Sequence, residues 1–200
     1  MRSIGPKCKQ CRREGEKLFL KGERCSTQKC AIVRRNTAPG KGKKSMTSKL
    51  SEFGKQLREK QKTKRIFGIT EKVFRNYYQK ASSRRGNTGD NILTLLEIRL
   101  DNIIYKAGFT SSRNQARQLV SHGFFAINGK RVDIPSISLR PGDKITAYKE
   151  FKSNLEQEHR SPSWLKVDFT KKAIEVLSFP EKDELEKSVA VNMIVEFYSR

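Results

Sequence analysis

Cys8, Cys11, Cys25 and Cys30 are the only cysteines in the chain, and all four fall within its first thirty residues. Cys8 and Cys11 form a CxxC pair that sets two thiolates on one turn. Cys25 and Cys30 approach from the far side of a basic loop, a spacing suited to a closed tetrahedral all-thiolate metal site. Zinc favours such soft ligands, and an iron–sulfur cluster is the alternative that ligand type alone does not separate from it. His122 and His159 lie far along the chain and do not compete. Two disulfides or four free thiols are the other readings. The first nine residues hold no apolar signal-peptide core and no cysteine follows Cys30, which argues against a secreted disulfide framework.

The flanks of these cysteines are strongly basic. Lys and Arg number 43 against 21 Asp and Glu, a net charge of +22. Residues 1–44 hold 14 basic and 3 acidic side chains, and residues 45–91 hold 12 and 4. Residues 92–160 hold 11 and 7, and residues 161–200 hold 6 and 7. An excess concentrated in one half points to a polyanion lying along that half, since a merely solvated surface mixes its signs. No apolar run approaches the roughly 18–20 residues that span a bilayer, and no amphipathic or lipidation signal marks the N-terminus. A soluble intracellular protein with no membrane partner is expected.

The elements that position these groups follow from spacing. APGKGKK and the residues after it, from Ala38 to Ser48, read as an extended linker. Thr47 or Ser48 is the expected cap of a helix carrying Leu50, Phe53 and Leu57 inward and ending near Gly68. A second helix follows Thr70, with Ile69 stapled to Phe74, and with Val73, Tyr77 and Tyr78 completing its buried side. Ser82 to Gly89 is the expected boundary between domains. Ile92 to Ile104 reads as one apolar helical stretch stopped by Gly108. A further helix is capped by Ser112 with Gln115 as its capping-box partner, ends at Gly123, and exposes Arg113 and Arg117. Asn128-Gly129 between Phe124–Ile127 and Lys130–Ile134 is a type I′ hairpin signal. A strand from Lys144, a charged helical run from Phe151 to Arg160, and a second hairpin over Trp164–Phe169 and Ala173–Phe179 follow. A short helix with Met193, Ile194 and Phe197, capped at Asn192, closes the chain.

The block GDNILTLLEIRLDNIIYKAGFTSSRNQARQLVSHG followed by FFAINGKRVDIPSISLRPGD resembles an RNA-binding module shared by several RNA-modifying enzymes. Three further segments, KCKQCRREGEKLFLKGERC, GKQLREKQKTKRIFGITEKVFRNYY and VEFYSR, extend the likeness over essentially the whole chain. They make it similar to the bacterial and organellar small ribosomal subunit protein four family, the S4 family. The resemblance implies an α+β fold with three parts. Residues 1–44 form a metal knuckle and basic extended arm. Residues 45–91 with 181–200 form a helical domain. Residues 92–180 form an inserted domain whose RNA-binding module, a helical pair plus a small antiparallel sheet, covers about 97–160. It also implies a non-enzymatic ribosomal protein that binds small-subunit ribosomal RNA early in assembly of the subunit body, in the cytoplasm or in an organelle's stroma or matrix. Neighbouring small-subunit proteins, messenger RNA at the channel by which it enters, and an influence on translational accuracy are implied as well. Many members lack the four cysteines, and Phe124 and Phe125 stand where one apolar and one more polar residue are expected.

Residue chemistry gives the candidate RNA contacts. Arg12, Arg13, Arg34 and Arg35 beside the cysteines suit bidentate clamping of phosphates, and Lys41, Lys43 and Lys44 would trail along the backbone. Lys55, Arg58, Lys62, Arg84 and Arg85 extend the basic surface. Arg113, Arg117, Gln118 and His122 would contact sugar and phosphate, although His122 also fits a purely helix-terminating role. GKGKK lacks the spacing of a phosphate-binding loop, and no nucleophile, base and oxyanion group stand together. An RNA-modifying enzyme needs a catalytic domain larger than the forty residues after 160. A zinc-dependent DNA-binding regulator is the other rival.

Overall fold

The structure, a computed structural model, describes residues 5–40, 50–151 and 161–199. In chain order its helices are α1 (Lys7–Glu14), α2 (Ala31–Arg34), α3 (Glu52–Ile66), α4 (Glu71–Ser82), α5 (Thr88–Glu97), α6 (Leu100–Lys106), α7 (Arg113–Ser121) and α8 (Val191–Tyr198). The strands are β1 (Phe125–Ile127), β2 (Lys130–Val132), β3 (Lys144–Ala147), β4 (Leu165–Asp168) and β5 (Ala173–Val176). The chain divides into two compact units, Met1–Asn91 with Ser188–Arg200, and Ile92–Lys187.

In the first unit α1 stops where Gly15 turns into the left-handed region at φ +77° and donates its N–H to the Cys11 carbonyl at 2.9 Å, the usual use of glycine after a helix. The expected caps Thr47 and Ser48 of α3 lie outside the described residues. Ser51 does the work, its hydroxyl accepting the Gly54 N–H at 3.2 Å. The expectation that Leu50 and Phe53 face inward fails, since they are 56% and 49% exposed. α3 buries Gln56, Lys60, Lys62, Thr63 and Ile66 instead. Burial of two lysines is tolerable because carboxylates meet them: Glu71 lies 2.9 Å from Lys60, and Glu59 of α3 itself and Glu16 lie 2.9 Å and 3.2 Å from Lys62. Burial alone would lower the Lys62 ammonium, but the two carboxylates outweigh it and leave it raised.

α4 begins after Thr70 as its sequence indicates and buries Phe74, Tyr77 and Ala81. Val73, expected inside, is 37% exposed. The cap of α8 is Ala190, two residues before the expected Asn192, and its N–H donates to Glu59 Oε1 at 2.7 Å. α8 returns the C-terminal segment to α3 and α4. Phe197 meets Phe53 with ring centroids 5.5 Å apart, and Tyr198 stacks on Tyr78 at 4.6 Å. The Lys60 ammonium lies 4.0 Å from the Phe197 ring centroid, a cation–π contact. Glu71 joins the three helices by accepting from Lys60, from Lys64 at 2.7 Å and from the Tyr198 hydroxyl at 2.7 Å.

In the second unit the apolar stretch from Ile92 to Ile104 is broken into α5 and α6, not continuous as its spacing suggests. Arg99 is extended at φ −70°, ψ 140° and bridges Ser138. Leu100 N–H donates to the Ile137 carbonyl and Leu139 N–H to the Ile98 carbonyl, both at 2.9 Å. Backbone groups freed by the break thus pair with the segment after β2. The sheet is antiparallel throughout, in the order β2-β1-β3-β5-β4, so both expected hairpins belong to one surface. Asn128 and Gly129 have φ of +49° and +80°, the signs a type I′ turn requires. Asn128 also ties the turn to β3, donating to Asp143 Oδ1 and accepting from Lys144 N–H, each at 2.9 Å. α6 and α7 pack Leu100, Ile103, Ile104, Ala116 and Val120 against Phe125, Ile145 and Trp164. The charged run expected over Phe151–Arg160 falls, beyond Phe151, outside the described residues. Among the described residues no helix is long and apolar enough to cross a membrane.

The Glu71 junction carries a pH dependence. Partial burial pushes the Glu71 carboxyl up, and hydrogen bonds from Lys64, Tyr198 and Lys60 outweigh it and hold the group at about 2. A carboxyl held low in the folded chain stabilises it above the unfolded value of about 4.3, and that contribution is lost as pH falls toward the folded value. Urea unfolding of the chain at pH 7 and pH 3 should show Glu71→Gln less stable than wild type at pH 7 and the difference shrinking at pH 3. An equal difference at both pH values contradicts the assignment.

Candidate nucleic-acid interface

Cys8 and Cys11 sit one turn apart on α1, Cys25 ends the 3-10 turn Gly22–Cys25, and Cys30 precedes α2. All four are free thiols, Cys8 half-buried and the others buried. They line one cavity of about 20 Å³ together with Leu20 and Ile32. Burial pushes the Cys11 thiol up, the Leu18 backbone opposes it, and the nearby Cys25, Cys8 and Cys30 raise it further. The four cysteines thus line one cavity, but among the described residues no group of three or more His, Cys, Asp or Glu is set to hold a metal ion. An all-sulfur donor set around one small cavity fits a thiophilic ion in chemistry and in number of ligands.

The arginines beside this cavity divide in two. Arg13, Arg34 and Arg35 are exposed. Arg12 is half-buried, and its Nε donates to the Thr37 carbonyl at 2.8 Å, which draws the segment after α2 back onto α1. Lys41, Lys43 and Lys44 lie outside the described residues. α1 is joined to α3 by charge: Glu14, its side chain 2% exposed, accepts from Arg65 and from Arg58 at 3.4 Å. Burial pushes the Glu14 carboxyl up, while Arg65 and Arg58 pull it back part of the way.

The candidate RNA contacts on α3 are engaged within the fold. Arg58 is held by Glu14, Lys62 is buried between Glu59 and Glu16, and Lys55, though exposed, is paired with Glu52 at 2.6 Å. Arg84 and Arg85 at the end of α4 are exposed.

α7 is engaged in the same way. Ser112 caps it, accepting the Gln115 N–H at 3.3 Å. The Gln115 side chain reaches back to the N–H and hydroxyl of Ser111 at 3.1 Å and 3.0 Å, one residue earlier than a capping box. Arg113 is turned inward, not exposed. Its Nε donates to Asn102 at 2.7 Å, it pairs with Glu186 at 2.6 Å, and it lies over the Tyr105 ring. Arg117 reaches Asp101 at 3.3 Å, and the same carboxylate holds the buried Arg99 at 2.7 Å. Gln118 and His122 remain exposed. Next to them Gly123, at φ +67°, leaves room for the Arg131 guanidinium, which a Cβ there would meet at 2.5 Å. Arg131 in turn lies 5.5 Å from the ring of Tyr148, which is 56% exposed. Spacing did not reveal this pair, because the hairpin brings together residues seventeen apart.

Comparison with known proteins gives this surface a context. The profile of the ribosomal protein S4/S9 N-terminal domain matches residues 2–97, and that of the S4 domain matches residues 98–145. The small ribosomal subunit protein uS4 of Syntrophomonas wolfei is 51% identical over 201 residues, covering 96% of each chain. Those of Nitrosospira multiformis and Clostridioides difficile are 48% and 47% identical, each over 209 residues that cover 100% of this chain and 99% of theirs. The chain belongs to the ribosomal protein S4 family.

This is a family of ribosomal proteins and not of enzymes. Its N-terminal-domain match takes in the cysteines, α3 and α4, and its S4-domain match takes in α6, α7 and the strands to β3. The S4 match thus contains both the inward-turned arginines and Gln118, His122, Gly123 and Arg131, and ends before Tyr148.

Removing a carboxylate that holds a buried arginine should unfold this part of the family's module. Asp101→Ala takes from Arg99, 1% exposed, the carboxylate that holds it at 2.7 Å. Stability measured by urea unfolding should fall by about 3–5 kcal/mol. Lys55→Ala, at an exposed pair, should change it by no more than about 1 kcal/mol.

Proposed function

We propose that this S4-family protein binds small-subunit ribosomal RNA directly, through phosphate contacts made by its basic first unit and RNA-shape contacts made by the exposed edge of its S4 domain. The observation that carries this reading is the full-length identity of about half to relatives named small ribosomal subunit protein uS4. The crowding of positive charge into residues 1–91 supports it. Arg13, Arg34 and Arg35 are the phosphate-binding candidates near the cysteines, with Lys41, Lys43 and Lys44 following them in sequence. Gln118 and His122 are the candidates on α7. Arg12, Arg58, Lys62, Arg113 and Arg117 act chiefly by holding those surfaces in place. The protein acts early, organising RNA of the subunit body. It lies near the channel by which messenger RNA enters, and meets neighbouring small-subunit proteins where it influences accuracy.

Cys8, Cys11, Cys25 and Cys30 are proposed to hold one zinc ion as a structural knuckle. Zinc bound there supplies folding free energy to the arm and performs no chemistry. An iron–sulfur cluster is the alternative occupant. Elemental analysis after anaerobic purification should find one zinc per chain and none in Cys11→Ser. Iron in its place supports the alternative, and neither metal removes the knuckle.

Competition at fixed salt tests the RNA reading. Structured small-subunit rRNA should displace a labelled rRNA fragment at far lower concentration than duplex DNA does. Equal or better competition by the DNA sinks the ribosomal reading in favour of a DNA-binding regulator.

A further inference from the structure

The cations of α4 behave unlike those of α3. α3 carries Lys55, Arg58, Lys60, Lys62, Lys64 and Arg65, and each is met by a carboxylate within 3.4 Å. On α4 and the turn after it, Lys72, Arg75, Lys80, Arg84 and Arg85 are all exposed. Among the described residues no ion pair joins any of these five to a carboxylate. The reason is local. Glu71 is the only acid in α4, and it is turned away to Lys60, Lys64 and Tyr198. Arg75, four residues along, is thereby denied the intrahelical pair its spacing would otherwise favour.

Helix electrostatics account for only part of this arrangement. Lys80, Arg84 and Arg85 lie near the negative end of the α4 macrodipole, where cations are favourable, but Lys72 stands in the first turn, where a cation is unfavourable. At 3.6 residues per turn Lys72, Arg75, Asn76, Gln79 and Lys80 fall on one side of the helix, a strip about 12 Å long. Phe74, Tyr77 and Ala81 occupy the other side and are buried. Val73 is the only large apolar side chain exposed on α4, which leaves no apolar face for a membrane surface or a partner helix. Cations interleaved with exposed amides suit phosphates and ribose hydroxyls.

We infer that the outer face of α4, with Lys72, Arg75 and Lys80 as its centre and Arg84 and Arg85 as its continuation, is a phosphate rail that holds RNA backbone. The inference rests on the rRNA-binding reading and adds three residues to it. It also shifts the first unit's helical contact from α3 to α4. Arg75, like Arg84 and Arg85, is suited to bidentate phosphate contact, and the lysines act as point charges.

The test is a titration of the full chain with structured small-subunit rRNA over a range of salt. The variant Lys72→Gln, Arg75→Gln, Lys80→Gln is compared with Lys166→Gln, Lys171→Gln, Lys187→Gln, which removes the same charge from exposed positions elsewhere. The α4 variant should lower the slope of log affinity against log salt by about two to three units, up to about one per lost phosphate contact, and weaken binding at least about tenfold near physiological salt. The second triple variant should keep the wild-type slope, and Lys72→Arg with Lys80→Arg should keep both slope and affinity. Unchanged thermal unfolding shows that the α4 variant is folded, as its exposed positions require. An unchanged slope in the α4 variant, or an equal loss in both triple variants, overturns the rail while rRNA binding stands. Wild-type protein that fails to prefer rRNA over duplex DNA overturns the underlying reading and the rail with it.

Discussion

Twenty-one carboxylates serve 43 cations in this chain, so fewer than half of the basic side chains can have an acid of their own. A buried charge without a partner costs several kcal/mol, and the acids are accordingly placed where cations go inside. Glu14, Glu16, Glu59 and Glu71 take up the cations of α3, while Asp101 and Glu186 take up Arg99, Arg117 and Arg113. Among the described cations left over are Arg13, Arg34 and Arg35 near the cysteines and those of the outer face of α4. The same allocation builds the fold and selects the side chains that remain for a polyanion.

The cysteine arm is part of this allocation. Glu14 ends the helix that carries Cys8 and Cys11, and Glu16 follows at its exit. Both carboxylates reach α3, so the turn that gathers the thiols also delivers the acids on which Arg58, Lys62 and Arg65 depend. An ion bound among the cysteines would therefore act on more than its own loop, because α1 must be formed before these pairs close.

Much of the local structure was legible in the chain itself. Asn128-Gly129 specified a turn with two positive φ values, Ser112 and Gly123 bounded α7, and the apolar spacing of Met193, Ile194 and Phe197 indicated α8. Backbone conformation at such sites is set by residues close in sequence. The interior of α3 was not legible, because Lys62 reads as solvent-facing until Glu16, 46 residues away, is brought beside it, and nothing near Lys60 marks its burial against Glu71, 11 residues on. Arg113 misled for the same reason, its partner Glu186 standing 73 residues further on. The break between α5 and α6 was hidden because Ile92 to Ile104 keeps its apolar character across Arg99, and only pairing with the segment near Ser138 interrupts the helix. Exposed and buried lysines look alike in a sequence when their acids are distant.

The most direct measurement is the reactivity of individual lysines toward a brief amine-acylating pulse, read by mass spectrometry on the folded chain with and without small-subunit rRNA. Without RNA, Lys60 and Lys62 should react much more slowly than Lys72 and Lys80. With RNA, Lys72 and Lys80 should become protected while Lys166 and Lys171 do not. Reaction of Lys60 and Lys62 as fast as Lys72 and Lys80 in the free protein would contradict the allocation of charge on which the account stands.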